Sequence, residues 1–235
     1  MNSAHSPVFG IIIFPGSNCE QDVAWACEHL GIRYRYLWHG ERDLAGVDAV
    51  VLPGGFSYGD YLRCGAVARF SPVMEEVTAF ANVGRPVLGI CNGFQILTEA
   101  HLLEGALLRN SGLKFICKEI SLRVEASCAW LDAEPGTILR VPINHNEGNF
   151  VCDAETLATL RENKQIIVRY CAPDGSELEA APNGALDNIA GICNEQRNVF
   201  GLMPHPERVV DAAVGGTHGQ VFFDAILRHL KEVAS

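Results

Sequence analysis

Basic charge is scarce in this sequence. Lys and Arg number 18 against 28 Asp and Glu, which leaves a net charge of −10. A chain that acidic, with only 20% charged residues, lacks the basic footprint that tracks phosphates, so no nucleic acid is expected as a partner. No Lys or Arg precedes Arg33, so the start lacks the charged segment of a secretory signal. Long apolar runs are missing too. Val8 to Phe14, the longest clear one near the start, is far below the roughly 20 residues that span a bilayer. No membrane contact is expected, and a cytoplasmic location is. No pair among the nine cysteines has C-x-x-C spacing, which argues against a zinc ribbon or a thioredoxin-type motif, and no metal is expected. Neither G-x-x-x-x-G-K-S/T nor G-x-G-x-x-G occurs, so a nucleotide site of either type is unsupported and this chain is expected to carry no cofactor.

What remains is a globular enzyme or binding domain. At about 150 residues per domain, 235 residues fit one large domain or two small ones. A hydrophobic fraction of 48% excludes disorder. Strand and helix patterns alternate. Val8–Phe14 is a β-branched apolar run suited to a strand buried on both faces, and Pro15-Gly16-Ser17-Asn18 breaks it. Glu20–Leu30 has helical spacing and Gly31 is placed to end it. Arg33–Trp38 and Asp48–Leu52 read as strands, and Ser71 caps a helix with Pro72 in its first turn and Glu75 and Glu76 in the early turns. Val87–Ile90 is a fourth strand, followed by a helix from about Asn92 to Leu102. Further on, Phe115–Val124, Thr137–Ile143 and Ile166–Cys171 read as strands and Asp153–Asn163 as a helix. Asn188–Asn194 and Asn198–Met203 pair as a hairpin, and Gln220–Val233 is an amphipathic helix. No linker, repeat or low-complexity stretch interrupts the pattern. One α/β domain over residues 8–235, after a tail at 1–7, is the expected organisation.

Gly89-Ile90-Cys91-Asn92-Gly93 lies where a buried strand meets a helix. This is the G-x-nucleophile-x-G pattern with Cys as the nucleophile. Such a turn is strained and closely packed, so its neighbours must be small. It exposes the sulfur at the carboxyl edge of the sheet, where α/β proteins bind ligands, and a helix N-terminus beneath it favours a thiolate. Composition alone yields about 0.1 such match by chance. Most of the other cysteines read as small buried hydrophobes in a reducing compartment. A thiol nucleophile needs a base, and the base needs an orienting group. His5 is near the terminus, while His29, His101 and His229 fall on helices among hydrophilic neighbours. His205, in Met203-Pro204-His205-Pro206-Glu207 after an apolar strand, is the candidate. In an extended segment His205 and Glu207 point to the same side, and a carboxylate beside an imidazole holds its tautomer. Pro53-Gly54-Gly55 also follows a strand. Its Gly55 N–H, together with that of Asn92, is placed to form an oxyanion hole. These parts specify acyl transfer through a thioester: Cys91 attacks a carbonyl, Gly55 and Asn92 hold the oxyanion, and His205 moves protons under Glu207.

Strand-Pro-Gly-Gly, the G-x-C-x-G-x-Q run from Gly89 to Gln95, and the late His-Pro-Glu resemble the class I, triad-type glutamine amidotransferases. Four longer segments narrow the resemblance: Phe14 to Glu20, Phe56 to Arg63, Gly89 to Gln95 and Gly201 to Arg208. Together they look like the glutaminase subunits of phosphoribosylformylglycinamidine synthases, over about Val8 to Leu230. The resemblance implies a flavodoxin-like α/β fold, with a central mostly parallel sheet, helices on both faces and a nucleophile elbow. It implies that Cys91, His205 and Glu207 form the triad and that L-glutamine is hydrolysed to glutamate and ammonia. Gln95 matches a position that helps hold glutamine, and Gly54-Gly55 match the oxyanion strand. His145 lies in a Pro142 to Asn149 segment that the family places near the site, as a substrate-binding or interface residue. Asn146, Ala181 and Ala185 depart from the commoner pattern, and none of them is a triad position. Because the chain lacks a nucleotide motif, the resemblance puts ATP and Mg in a separate synthetase subunit. That subunit receives the ammonia and converts formylglycinamide ribonucleotide to its amidine in purine biosynthesis, with a small third subunit bridging the two.

Three other readings stand beside this one. An amidotransferase of guanylate or histidine synthesis would share the triad but not the Phe56 to Arg63 segment. A Cys-dependent hydrolase of the flavodoxin-like superfamily would share the elbow, would usually lack His-Pro-Glu, and would not need glutamine. A binding module with a dead triad conflicts with competent residues at all three positions.

Overall fold

The computed structural model describes residues 6–233. The expected tail at 1–7 lies mostly outside them, and His5 wholly so. The first half of the chain alternates β1 (Val8–Ile13), α1 (Glu20–His29), β2 (Arg33–Trp38), β3 (Ala49–Leu52), α2 (Pro72–Asn82), β4 (Val87–Ile90) and α3 (Asn92–Glu99). The second half adds β5 (Ala106–Leu108), β6 (Ile116–Val124), β7 (Ile138–His145), β8 (Asn149–Val151), α4 (Ala154–Glu162), β9 (Ile166–Cys171), β10 (Ile189–Cys193), β11 (Val199–Leu202) and α5 (Gln220–Val233).

Nine strands form one sheet in the order β2-β1-β3-β4-β11-β10-β9-β6-β7. From β2 to β11 every pairing is parallel, and from β11 to β7 every pairing is antiparallel. Only β10 and β6 therefore run against the rest, so the sheet is mostly parallel by strand direction. Every residue of β3, β4, β10 and β11 is buried, as a sheet covered on both faces requires. β11 shows the two faces directly. Phe200 stacks on Phe222 of α5, whereas a Cβ on the next residue, Gly201, would strike Phe94 of α3. Successive strand residues face opposite ways, so α5 and α3 cover opposite faces. In α2, Val73, Met74, Val77, Phe80 and Ala81 are buried, a helical stripe in which each large apolar side chain contributes about 1.5–3 kcal/mol.

The strand directions place the site. The carboxyl ends of β1, β3, β4, β11 and β7 lie at the same edge and lead into residues 14–19, 53–60, 91, 203–207 and 145–149 respectively.

Several sequence expectations need correction. The third helix stops at Glu99, not Leu102, because His101 takes φ +57° and turns the chain. His101 is thus an exposed turn residue rather than a helical one. Ser71 precedes α2 with extended dihedrals but its hydroxyl makes no cap bond; it meets the Tyr58 hydroxyl at 2.8 Å instead. Glu75 pairs with Arg42. The three-residue strands β5 and β8 pair with each other outside the main sheet, and neither is long enough to show a period of two.

Candidate active site

The turn after β4 has the geometry expected of an elbow. Cys91 adopts φ +51° and ψ −104°, a backbone state that costs a non-glycine residue about 1–3 kcal/mol. Its N–H is held by the Leu202 carbonyl at 2.8 Å, which ties the turn to β11. α3 starts at the next residue, so the unpaired first-turn N–H groups, that of Asn92 included, lie beside the sulfur. A Cβ on Gly93 would come within 2.0 Å of the Leu52 carbonyl oxygen, and one on Gly89 would meet the Gly93 backbone at 2.7 Å. Strand, elbow and helix are thus in backbone contact. Gly93→Ala is expected to destabilise the fold by about 3 kcal/mol or more, since it overpacks against backbone that cannot yield. Urea unfolding measures this, and a loss under 1 kcal/mol would show that the elbow relaxes.

His205 and Glu207 are both buried, at 1% and 0% exposure. His205 Nδ1 and Glu207 Oε1 are 2.6 Å apart. The pairing was expected from an extended strand, but residues Pro206–Arg208 form a 3-10 turn. The turn folds the carboxylate back onto the ring. The His205 N–H donates to the Pro142 carbonyl at 2.9 Å, and the ring lies over Gly54, where a Cβ would meet Cε1 at 2.8 Å. Burial works against a charged His205 ring. The Glu207 carboxylate, and after it the Cys91 sulfur, outweigh burial and raise the pKa to about 10. His205 Nε2 has no hydrogen-bond partner, and the Cys91 Sγ is turned toward the Asn144 carbonyl at 3.9 Å.

Cys91, His205, Gly55, Gln95 and His145 line one cavity of about 310 Å³. Glu207 stands behind His205. Gly54 and Asn92 do not line the cavity: Gly54 makes room for the imidazole, and the Asn92 side chain braces the wall. Asn92 Oδ1 accepts from the Ser57 N–H at 3.1 Å, and its Nδ2 donates to Gln95 Oε1 at 2.8 Å. Gln95 Nε2 donates in turn to the Glu147 carbonyl at 2.5 Å. This chain of bonds joins the loop after β3 to α3 and to the loop after β7. Gly55, at φ +138°, lies so close to Ser17 and Asn18 that a Cβ would be 2.8 Å from the Asn18 nitrogen.

The sequence reading missed Asn18, Cys19, Asp60, Cys64, Asn144, Glu147 and Arg208 on the cavity wall. Three thiols therefore face one cavity. Burial, then the Glu207 charge, push Cys19 up to about 12. Burial and a hydrogen bond donated to Glu147 at 2.8 Å push Cys64 up as well. Neither is poised to be a thiolate. The Asp60 carboxyl is raised, chiefly by burial, and its Oδ1 has no partner. Among the described residues, no group of three or more His, Cys, Asp or Glu is arranged to hold a metal ion.

The family model of the CobB/CobQ-like glutamine amidotransferase domain matches residues 6–218. That defines the class: a glutamine amidotransferase domain. Phosphoribosylformylglycinamidine synthase subunit PurQ of Koribacter versatilis is 54% identical over 223 residues, covering 93% of this chain and 96% of that protein. The subunit of the same name from Chlorobaculum parvum is 52% identical, covering 94% and 89%. The solved structure of PurLQS from Thermotoga maritima contains a chain that superposes with a TM-score of 0.85 at 41% identity, covering 96% of this chain and all of that one. The chain belongs to the PurQ family of phosphoribosylformylglycinamidine synthase subunits.

Proposed function

We propose that this chain hydrolyses L-glutamine in the cavity at Cys91 and passes the ammonia to a synthetase subunit that forms formylglycinamidine ribonucleotide. The observation that carries the reading is the buried His205–Glu207 pair, whose imidazole lines the same cavity as Cys91, a space large enough for one amino acid. Cys91 passes its thiol proton to His205 Nε2 and its sulfur attacks the γ-carbonyl carbon. The N–H groups of Gly55 and Asn92 receive the negative oxygen. His205 Nε2 gives its proton to the departing nitrogen, the C–N bond breaks and ammonia leaves a γ-glutamyl thioester. Water, deprotonated by His205, then releases glutamate and restores the thiol. Glu207 holds the His205 tautomer and steadies its positive form. Gln95, its amide held by Asn92 and the Glu147 carbonyl, keeps the loop after β7 against α3 and forms part of the glutamine pocket wall.

ATP and Mg belong to the synthetase subunit, because activation of the acceptor occurs there. A small bridging subunit joins the two, as the name PurLQS of the Thermotoga maritima assembly suggests by its three letters. No helix among the described residues is long and apolar enough to cross a membrane, which agrees with work in the cytoplasm beside other purine enzymes. The test is glutamate release by the purified chain, alone and with its synthetase, ATP and formylglycinamide ribonucleotide. Strong stimulation by the partner is expected. No release in the intact complex would return attention to a Cys-dependent hydrolase, and equal turnover with and without the partner would remove the coupling.

A further inference from the structure

Two buried ring nitrogens at the cavity have no hydrogen-bond partner: His205 Nε2 and His145 Nε2. The first is the proton donor of the scheme above. The second has no role in it. His145 is 3% exposed, and its ring forms part of the same wall as Cys91 and His205.

The surroundings fix which His145 nitrogen carries the proton. Asn110 Nδ2 donates to the carbonyls of Lys114 at 2.8 Å and His145 at 3.0 Å. Asn110 Oδ1 accepts from the Gly148 N–H at 3.0 Å and lies 3.2 Å from His145 Nδ1. With the amide so oriented, Nδ1 must be the donor, and Nε2 presents a lone pair. Burial, then the His205 charge, lower the His145 pKa to about 4, so the ring is neutral at working pH. The ring is also held in place. A Cβ on Gly148 would be 2.3 Å from Cε1, and the Gly148 carbonyl is bound by the fully buried Asn183 at 2.7 Å. A second acceptor faces the sulfur, the Asn144 carbonyl. One wall of the cavity therefore offers two acceptors, the His145 Nε2 lone pair and the Asn144 carbonyl that faces the sulfur.

We propose that His145 Nε2 and the Asn144 carbonyl accept hydrogen bonds from the carboxamide NH₂ of the substrate and from the ammonia it becomes, and that His145 thereby makes the site choose an amide over a carboxylate. The inference rests on the glutaminase reading. A γ-carboxamide turns its oxygen to the Gly55 and Asn92 N–H groups and its two N–H bonds to the acceptors. A γ-carboxylate in the same place sets a lone pair against two lone pairs, and a site built to bind an N–H rejects an analogue that lacks it. As the C–N bond breaks, the nitrogen keeps the bonding electron pair and takes the His205 proton. All three of its hydrogens then need acceptors, and the wall supplies two. An imidazolium at His145 would instead attract the glutamate product.

The test compares two substrates in the complex with the synthetase: L-glutamine, and L-glutamate γ-methyl ester, whose leaving group has no N–H. kcat/KM reads acylation of Cys91 for both. In His145→Phe, kcat/KM for glutamine is expected to fall about 10²-fold and that for the ester by less than about 3-fold. His145→Gln keeps an acceptor and is expected to stay within about 10-fold of the parent on glutamine. Glutamate inhibition should tighten in the Phe variant. Equal losses on both substrates would assign His145 a purely structural role and overturn the proposal, as would no loss on either. If His145→Phe does not fold, His145→Met carries the same comparison. An unsubstituted complex that fails to hydrolyse glutamine removes the glutaminase reading itself, while an active one with an unchanged amide-to-ester ratio in the variants removes only this inference.

Discussion

Cys91→Ala is expected to lower glutamate release from L-glutamine by about 10⁴-fold or more, to the level left by binding alone. The size of the loss follows from the lack of a substitute. Cys19 and Cys64 line the same cavity. Cys19 is held as a thiol by burial and the Glu207 charge, and Cys64 by burial and its bond to Glu147. Neither occupies the elbow, where the first-turn N–H groups of α3 adjoin the sulfur. The fold should survive, because the sulfur's hydrogen bond to the Asn144 carbonyl is long, at 3.9 Å, Ala keeps the Cβ in the buried position, and Ala at φ +51° is strained no more than Cys. Thermal melts should therefore agree within about 1 kcal/mol while glutamine still binds. A γ-carbonyl electrophile that alkylates the parent at one position should leave the variant unlabelled. Residual turnover within 10-fold of the parent, or labelling at Cys19, would assign the nucleophile elsewhere.

How far the sequence reaches can be seen residue by residue. β1, β9 and α5 match the expected spans closely because each carries a clean apolar run or stripe bounded by Gly, Pro or polar turns, while β2 matches through its run of aromatic residues alternating with Arg. The elbow was legible because its constraint is local: strand, Cys and helix are adjacent, and the glycines that allow the close approach flank the sulfur. His205 with Glu207 was legible as a pair but for an incomplete reason. The sequence shows a separation of two residues, whereas the 3-10 turn at Pro206–Arg208 makes the 2.6 Å contact. The rest of the site depends on contacts between residues far apart in the chain. Asn110 reaches His145 across 35 positions, and Cys64 reaches Glu147 across 83. No spacing rule finds such pairs. The buried asparagines Asn110 and Asn183 shape the loop after β7, and a lone Asn in sequence looks like any turn residue. Asn183 lies between Ala181 and Ala185, two of the noted departures, and its side-chain anchor to Gly148 is intact.

Glu207→Gln is expected to lower kcat by about 10²–10⁴-fold and to move the alkaline limb of the pH profile down toward neutrality. Gln has nearly the same volume and keeps an oxygen that can accept from His205 Nδ1, so the 2.6 Å contact needs little change. What disappears is the charge. Burial pushes the His205 pKa down, and it is the Glu207 carboxylate, with Cys91 behind it, that lifts the pKa to about 10. Without the carboxylate, burial loses its main opponent and the ring gives up its proton well below pH 10. Less of the enzyme then holds an acid for the departing nitrogen. The nearest guanidinium to this carboxylate, Arg208, has its Nε 4.0 Å from Glu207 Oε1 and is engaged with Asp22 at 2.8 Å, so it cannot take over the role of a proton donor. The same shift has a consequence for stability. A histidine whose folded pKa is raised stabilises the fold fully below the unfolded value near 6.5, and that contribution is lost as pH rises toward 10. The parent should therefore lose melting temperature steadily between pH 6.5 and 10. In Glu207→Gln the main cause of the raised pKa is gone, so the loss of melting temperature between pH 6.5 and 10 should shrink. Turnover measured from pH 6 to 10.5, with melts over the same range, reads both effects. A variant with reduced kcat but an unmoved alkaline limb would show that Glu207 orients His205 without holding its proton.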